Sequence, residues 1–140
     1  MTRRIRTYLP VDTAELRALE QTRELPAGTR TVFAVTDRLR ASAPTEDTEG
    51  LEYLATQDAA TEAAARGLRV VAAVDLDDED LTDLPDAESA CAVRISGALP
   101  QQHIASFHLL DPPGERDVDA DLELSWYDAT ELALVLHTID

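Results

Sequence analysis

The 140-residue sequence predicts an α/β or α+β fold, a sandwich of helices on a mixed five-stranded sheet in the order β-α-β-α-β-β-α-β-α. Three observations carry this expectation. Short apolar runs with strand character recur between segments of helical periodicity. Two capping boxes, Asp12 with Glu15 and Asp128 with Glu131, mark helix starts. No heptad array, solenoid period or low-complexity segment interrupts the alternation. Strands interleaved with helices bury their faces best as two or three packed layers. Residues 1–140 are expected to form a single domain, long enough to bury roughly two-thirds of the unfolded surface.

The elements follow in order. Residues 4–9 alternate and are expected to stop at Pro10, the first strand. Asp12 opens a helix, with Val11 and Leu16 at the hydrophobic-staple positions, Leu16 and Leu19 as its buried stripe, and Pro26–Gly28 as its end. Thr31–Thr36 is apolar on both faces, as an interior strand is. Asp37–Ser42 has room for a helical turn. A long helix over 46–66 carries Leu51, Leu54, Ala55, Ala59 and Ala63 on one face, and Gly67 suits a left-handed terminator.

The third strand is Leu68–Leu76, and 75–89 is an acidic loop with room for one helical turn. Ala90–Ser96 is the fourth strand, with Cys91, Val93 and Ile95 on one face and Arg94 on the other. A short helical connection over 97–105 leads to a fifth strand, 106–111, and a loop over 112–121. The last helix starts at the second capping box. There Leu132, Val135, Leu136 and Ile139 keep the i, i+3, i+4, i+7 rule. The stretch from the second strand to the fifth has the βαββαβ order of a ferredoxin-like unit.

Charge is the most unusual property of the chain. Twelve Arg, no Lys and twenty-eight Asp or Glu give a net charge of −16. Residues 1–40 hold eight Arg against five acids, residues 41–110 three against fourteen, and residues 111–140 one against nine. Nucleic-acid binding rests on phosphate neutralisation and is disfavoured by that field. Arg and Lys serve alike on an ordinary solvated surface, so GC-rich codon usage is the simplest reason for the missing Lys. Cys91 is the only cysteine and excludes an internal disulfide, as expected of a reducing compartment. The longest apolar runs, Val70–Val74 and Leu132–Leu136, are five residues each. No membrane span or secretory leader is expected, and the cytoplasm is the default location.

No motif reaches the level of a catalytic signature, and the sequence assigns no catalytic residue, cofactor or metal ligand. Asp75, Asp77, Glu79 and Asp86 match positions 1, 3, 5 and 12 of a calcium loop, but Asp80 stands where the turn glycine belongs. Asp117, Asp119 and Asp121 repeat the spacing with the same defect. A solvated acidic loop explains both. His103, His108 and His137 lack metal-ligand spacing. Cys91 with His108 is a conceivable thiol–base pair, set against the inertness usual for a buried cysteine. Arg3, Arg4 and Arg6 form a basic cluster and are candidates for contact with an anion or a partner protein, although an edge strand guarded by charge would also explain them. Tyr8, Glu52, Tyr53, Trp126 and Tyr127 are the candidate binding side chains, because Trp and Tyr are enriched where proteins bind.

Thr7-Tyr8-Leu9-Pro10, Phe33-Ala34-Val35-Thr36, Glu52-Tyr53, Ala92-Val93-Arg94, Ile104–His108 and Leu124–Asp128 together resemble a small family of uncharacterised actinobacterial proteins. The resemblance spans most of the chain and implies a high-GC genome and a bacterial cytoplasmic home. It implies no activity and no site residue. The expectation is an accessory or regulatory module that binds a protein partner and leans away from enzyme chemistry. A small-molecule pocket near the Tyr and Trp side chains is the first alternative. Weak divalent-cation binding by the 75–88 loop is the second. Nucleic acid and membranes are not expected partners.

Overall fold

A computed structural model describes residues 3–116 and 121–140. Seven strands form one sheet: β1 (Arg4–Val11), β3 (Arg30–Ala34), β4 (Val70–Asp77), β5 (Thr82–Asp83), β6 (Ala92–Ile95), β8 (Ile104–Leu110) and β9 (Leu124–Asp128). Their spatial order is β5–β6–β3–β1–β4–β8–β9, and every pairing is antiparallel. A separate ribbon joins β2 (Glu24–Leu25) to β7 (Leu99–Pro100). Four α-helices accompany them among the described residues: α1 (Thr13–Thr22), α2 (Asp37–Ser42), α3 (Thr48–Ala65) and α4 (Leu132–Ile139).

The sheet corrects the mixed five-stranded expectation in two ways. β2, β5 and β7 are two residues each, too short to show a period, and β9 is a further strand. The crossover from β3 through α3 to β4 also skips one place in the sheet. β1 fills that place and runs antiparallel to both, so β3 and β4 are parallel to each other without pairing. With β1 between them and β6 and β8 on opposite flanks, the strands of residues 30–110 do not form a ferredoxin-like unit.

Strand alternation sends one set of side chains to each side of the sheet. Leu9, Val11, Val32, Val70, Ala72, Val74, Phe107 and Leu109 pack with Leu16 and Leu19 of α1 and Leu132, Val135 and Leu136 of α4. Leu25 and Leu99 of the small ribbon join that layer. On the other side Tyr8, Phe33, Val71 and Ala73 pack with Leu39 of α2 and with Leu51, Ala55, Ala59, Ala60 and Ala63 of α3. The four alanines are fully buried, so α3 lies close against β1, β3 and β4. Cys91 precedes β6 and packs on the α3 side, while Val93 and Ile95 face α1 and α4. The expected shared face therefore does not hold, because the turn before Ala92 breaks the alternation.

Local chemistry explains the helix ends. Glu15 N–H donates to Asp12 Oδ1 at 2.7 Å and Asp12 N–H donates to Glu15 Oε1 at 3.1 Å, the expected capping box. α1 stops at Arg23, whose left-handed φ of 64° turns the chain into β2, well before Pro26–Gly28. Gly67, at φ +72°, follows α3 as expected. The second capping box also forms, with a 3₁₀ turn over Ala129–Glu131 leading into α4.

Two irregularities shape the surroundings of the candidate sites. β1 runs through Pro10 to Val11 because its β4 ladder continues, Pro10 facing Val71 and Val11 facing Val70. Its β3 ladder covers only Thr7↔Ala34 and Tyr8↔Phe33. In β8, Ala105 is an extra residue against the Ala73–Val74 step of β4. Across that bulge Ile104 turns to the α1–α4 layer, while Ser106 and His108 face α3.

Candidate functional site

The basic cluster lies inside the sheet, and β1 is not an edge strand. Arg6 Nε and Nη2 donate to Asp75 Oδ1 and Oδ2, both at 2.9 Å. Arg4 Nε is 3.4 Å from Asp77 Oδ1, and Arg4 Nη1 donates to the Asp75 carbonyl at 3.1 Å. Arg3 N–H donates to Asp78 Oδ1 at 3.3 Å. These pairs follow from register, since Arg4 and Arg6 stand opposite Asp77 and Asp75. The Arg6 hydrogen bonds hold the Asp75 carboxyl below the usual range, and Asp75 in turn raises Arg6.

That arrangement uses the first carboxylates of the calcium-like loop. Asp75, Asp77 and Asp78 are engaged by the first strand, and 78–80 is a 3₁₀ turn. Among the described residues no group of His, Cys, Asp and Glu is arranged to hold a metal ion. Asp117 and Asp119 of the second acidic spacing lie outside the described residues.

Beyond Arg6, the α3 side of β1, β4, β8 and β9 carries the other candidates. Tyr8 is buried, and burial pushes its phenol up, against a hydrogen bond to Thr56; Glu52 is close enough to add to the rise. Ser106 Oγ and His108 Nε2 are 2.9 Å apart. Burial, with Arg6 nearby, pushes the His108 imidazole down and favours its neutral form. His108 stands opposite Trp126 in the β8–β9 register, so both share the α3 side of the sheet. Trp126 is 61 % exposed and Tyr53, on α3, is 49 % exposed. The Tyr53 hydroxyl donates to Asp121, and that bond raises its phenol. Gln57 fixes the approach to β9, donating to the Leu122 carbonyl at 2.8 Å and accepting the Leu122 N–H at 3.0 Å.

The structure thus gathers Arg6, Tyr8 and Glu52 around one polar spot, with Tyr53 and Trp126 exposed on the same side. Tyr127 is separated from them, packed against the α1–α4 layer. Arg3, Arg4, Arg6 and Glu52 also line a cleft of about 240 Å³ together with Arg40 and Thr48. Thr56 and Ser106 are not among the sequence candidates, and Asp75 and His108 enter there only as a calcium-loop position and as a base for Cys91. The i, i+2 spacing of Ser106 and His108 was a usable signal, and the Asp75 pairing depended on a register no local pattern reveals.

Ser106 is almost fully buried, and no carboxylate bonds to His108 Nδ1 among the described residues, so this pair lacks the orienting third group of a nucleophile–base set. Cys91, just before β6, and His108, on β8, are separated by β3, β1 and β4, so the conceivable thiol–base pair does not form. Burial, with Asp58 close by, pushes the Cys91 thiol up to about 12. His103 lies in a 3₁₀ turn with Nδ1 3.0 Å from Arg4 Nη1, and His137 is exposed in the last turn of α4.

No helix among the described residues is long and apolar enough to cross a membrane. No curated protein and no solved structure matches the chain. A family model does match, from residue 5 to residue 136, so among the described residues it takes in the strands, save Arg4 at the start of β1, and all but the last turn of α4. The chain belongs to the family of unknown function DUF6912.

Proposed function

We propose that this chain is a non-catalytic accessory module that binds a basic protein surface on the α3 side of β8 and β9. The observation that carries the reading is Trp126, 61 % exposed on the terminal strand of the sheet. An exposed Trp on a rigid strand is a low-entropy anchor for a partner. Charge selects the partner's sign. Asp128 shares the Trp126 face two residues on, Asp121 holds Tyr53, and Glu52 lies on the same side. Two cations on the same side of the sheet, Arg4 and Arg6, are already paired with carboxylates. A guanidinium of the partner can stack on the indole while its neighbours meet this acidic rim.

The inert thiol and the incomplete Ser106–His108 pair favour a binding role over a chemical one. The proposal treats residues 1–140 as one domain working in a bacterial cytoplasm, where a free buried cysteine is at home. Actinobacterial origin, suggested by the all-arginine basic complement, belongs to the same proposal.

Calorimetric titration with a short arginine-rich peptide tests the reading. Trp126→Ala is expected to weaken binding by about 2 kcal/mol, roughly thirtyfold. Arg94→Ala, on the opposite half of the sheet, is expected to leave it unchanged. Equal affinity of the Trp126→Ala variant and the native chain contradicts the proposal.

A further inference from the structure

The sheet contains an opening that the binding role does not use. The β1–β3 ladder ends at Tyr8↔Phe33, although both strands continue. Ala34 N–H donates to the Cys91 carbonyl on the β6 side, so alternation turns the backbone groups of Phe33 and Thr31 toward β1. The residue that would meet Thr31 is Pro10, which has no N–H to give. The ladder of an interior pair of strands is therefore interrupted at Pro10, which leaves the Thr31 C=O without a donor on β1.

A cleft of about 830 Å³ occupies this opening, within the range of small-ligand sites. It is lined by Pro10, Glu15, Arg30 and Thr31 of the α1–β3 region, by Asp58, Thr61, Glu62 and Arg66 of α3, and by Glu88 and Ser89. Arg30 is well buried there. Its Nε and Nη2 donate to Glu15 Oε2 at 3.1 and 3.0 Å, and Nη2 also donates to the Pro26 carbonyl. Its remaining nitrogen, Nη1, is buried with no partner. A buried guanidinium donor without an acceptor is costly, and it calls for an oxygen.

The rest of the lining calls for the opposite charge. Four carboxylates face two guanidinium groups. Glu15 is taken by Arg30, and Asp58 accepts the Ser89 hydroxyl at 2.6 Å. The Glu62 and Glu88 side chains make no hydrogen bond or ion pair among the described residues and stay available to a cation. We propose that the opening beside Pro10 binds a small zwitterion of the α-amino-acid class. Its carboxylate meets the Arg30 guanidinium, and its ammonium meets Glu62 and Glu88. A simple anion would face the surplus carboxylates, and a simple amine would leave the Arg30 donor unmet.

Thermal unfolding of the full chain in each common L-amino acid at about 10 mM tests this. A ligand bound only to the folded state raises the melting temperature, here by about 3–5 °C for millimolar affinity. Acetate and methylamine serve as half-ligand controls and are expected to give less than a third of that rise. Arg30→Gln is expected to remove the shift. Because Arg30 also anchors Glu15, a second variant guards against misfolding: Thr61→Trp, on an exposed helical position of the lining, is expected to block the opening and abolish the shift. Trp126→Ala is expected to retain it, which separates this site from the partner-binding face. A flat response to every amino acid, a methylamine shift as large as theirs, or a full shift in Thr61→Trp overturns the proposal.

Discussion

Arg6 on β1 grips Asp75 on β4 through two parallel hydrogen bonds of 2.9 Å, in the middle of the seven-stranded sheet. That pair converts the uneven charge of the sequence into structure. The basic first strand is laid against the first acids of the 75–88 segment, and both are partly neutralised. The long-range field that remains is acidic, which is why the proposed partner is basic.

The Arg6–Asp75 pair is over a third exposed on both sides, so screening limits its contribution to less than about 1 kcal/mol. A double-mutant cycle of Arg6→Ala and Asp75→Ala, read from urea midpoints, is expected to give a coupling of that size. Arg6→Lys is expected to lose most of it, because an ammonium cannot form the two-pronged contact. Asp75 has its folded pKa lowered, so its share is present above the unfolded value near about 4 and disappears as pH falls through the folded value.

His108 gives a second pH signature at milder acidity. Its folded pKa is lowered by burial, so the unfolded chain binds the proton first as pH falls. Stability is complete above about 6.5 and declines below it. His108→Gln is expected to flatten this part of the profile while the loss from Asp75 persists. An unchanged slope between neutral pH and about 5 in the variant contradicts the assignment.

Ala59 is fully buried where α3 meets the sheet. Ala59→Leu adds side-chain volume where no space exists, and is expected to cost roughly 1–3 kcal/mol or more. Ala64→Leu, partly buried on the same helix, is expected to cost less. Equal costs, measured by denaturant unfolding, would mean that α3 does not approach the sheet as described.

Cys91 is buried, with its thiol pushed up to about 12. Maleimide or disulfide reagents at neutral pH are expected to label it at the rate of local unfolding, and rapidly in denaturant. Fast labelling of the folded chain would contradict the packing of Ala55, Ala59 and Cys91 in one layer.

Local chemistry was legible in the sequence wherever a few neighbouring residues determine the outcome. Asp12 with Glu15 placed the start of α1, Asp37–Ser42 yielded the short α2, and Gly67 closed α3. Pairing was not legible. β2, β5 and β7 have no period to detect, and Leu124–Asp128 looks like the staple before a helix because Trp126 and Tyr127 suit either role. Of the candidate site, the aromatic side chains were visible and their partners were not. The arginines also turned out more specific than codon usage suggests. Arg38 donates to the carbonyls of Leu84, Ala87 and Ser89, at 3.4, 2.6 and 3.4 Å, and Arg69 to that of Leu110 at 3.1 Å. A lysine offers no such spread of planar donors, so several of the twelve arginines do what a lysine would do less well.

Trp126 is the only tryptophan of the chain, so its fluorescence reports the proposed contact face directly. The most direct test is its emission and acrylamide quenching during titration with an arginine-rich peptide, at low and high salt. The binding account predicts a blue shift and protection from quenching with the basic peptide, both weakened by salt, and neither with an acidic peptide of equal length. Unchanged emission with the basic peptide at low salt, or an equal response to both peptides, would contradict it.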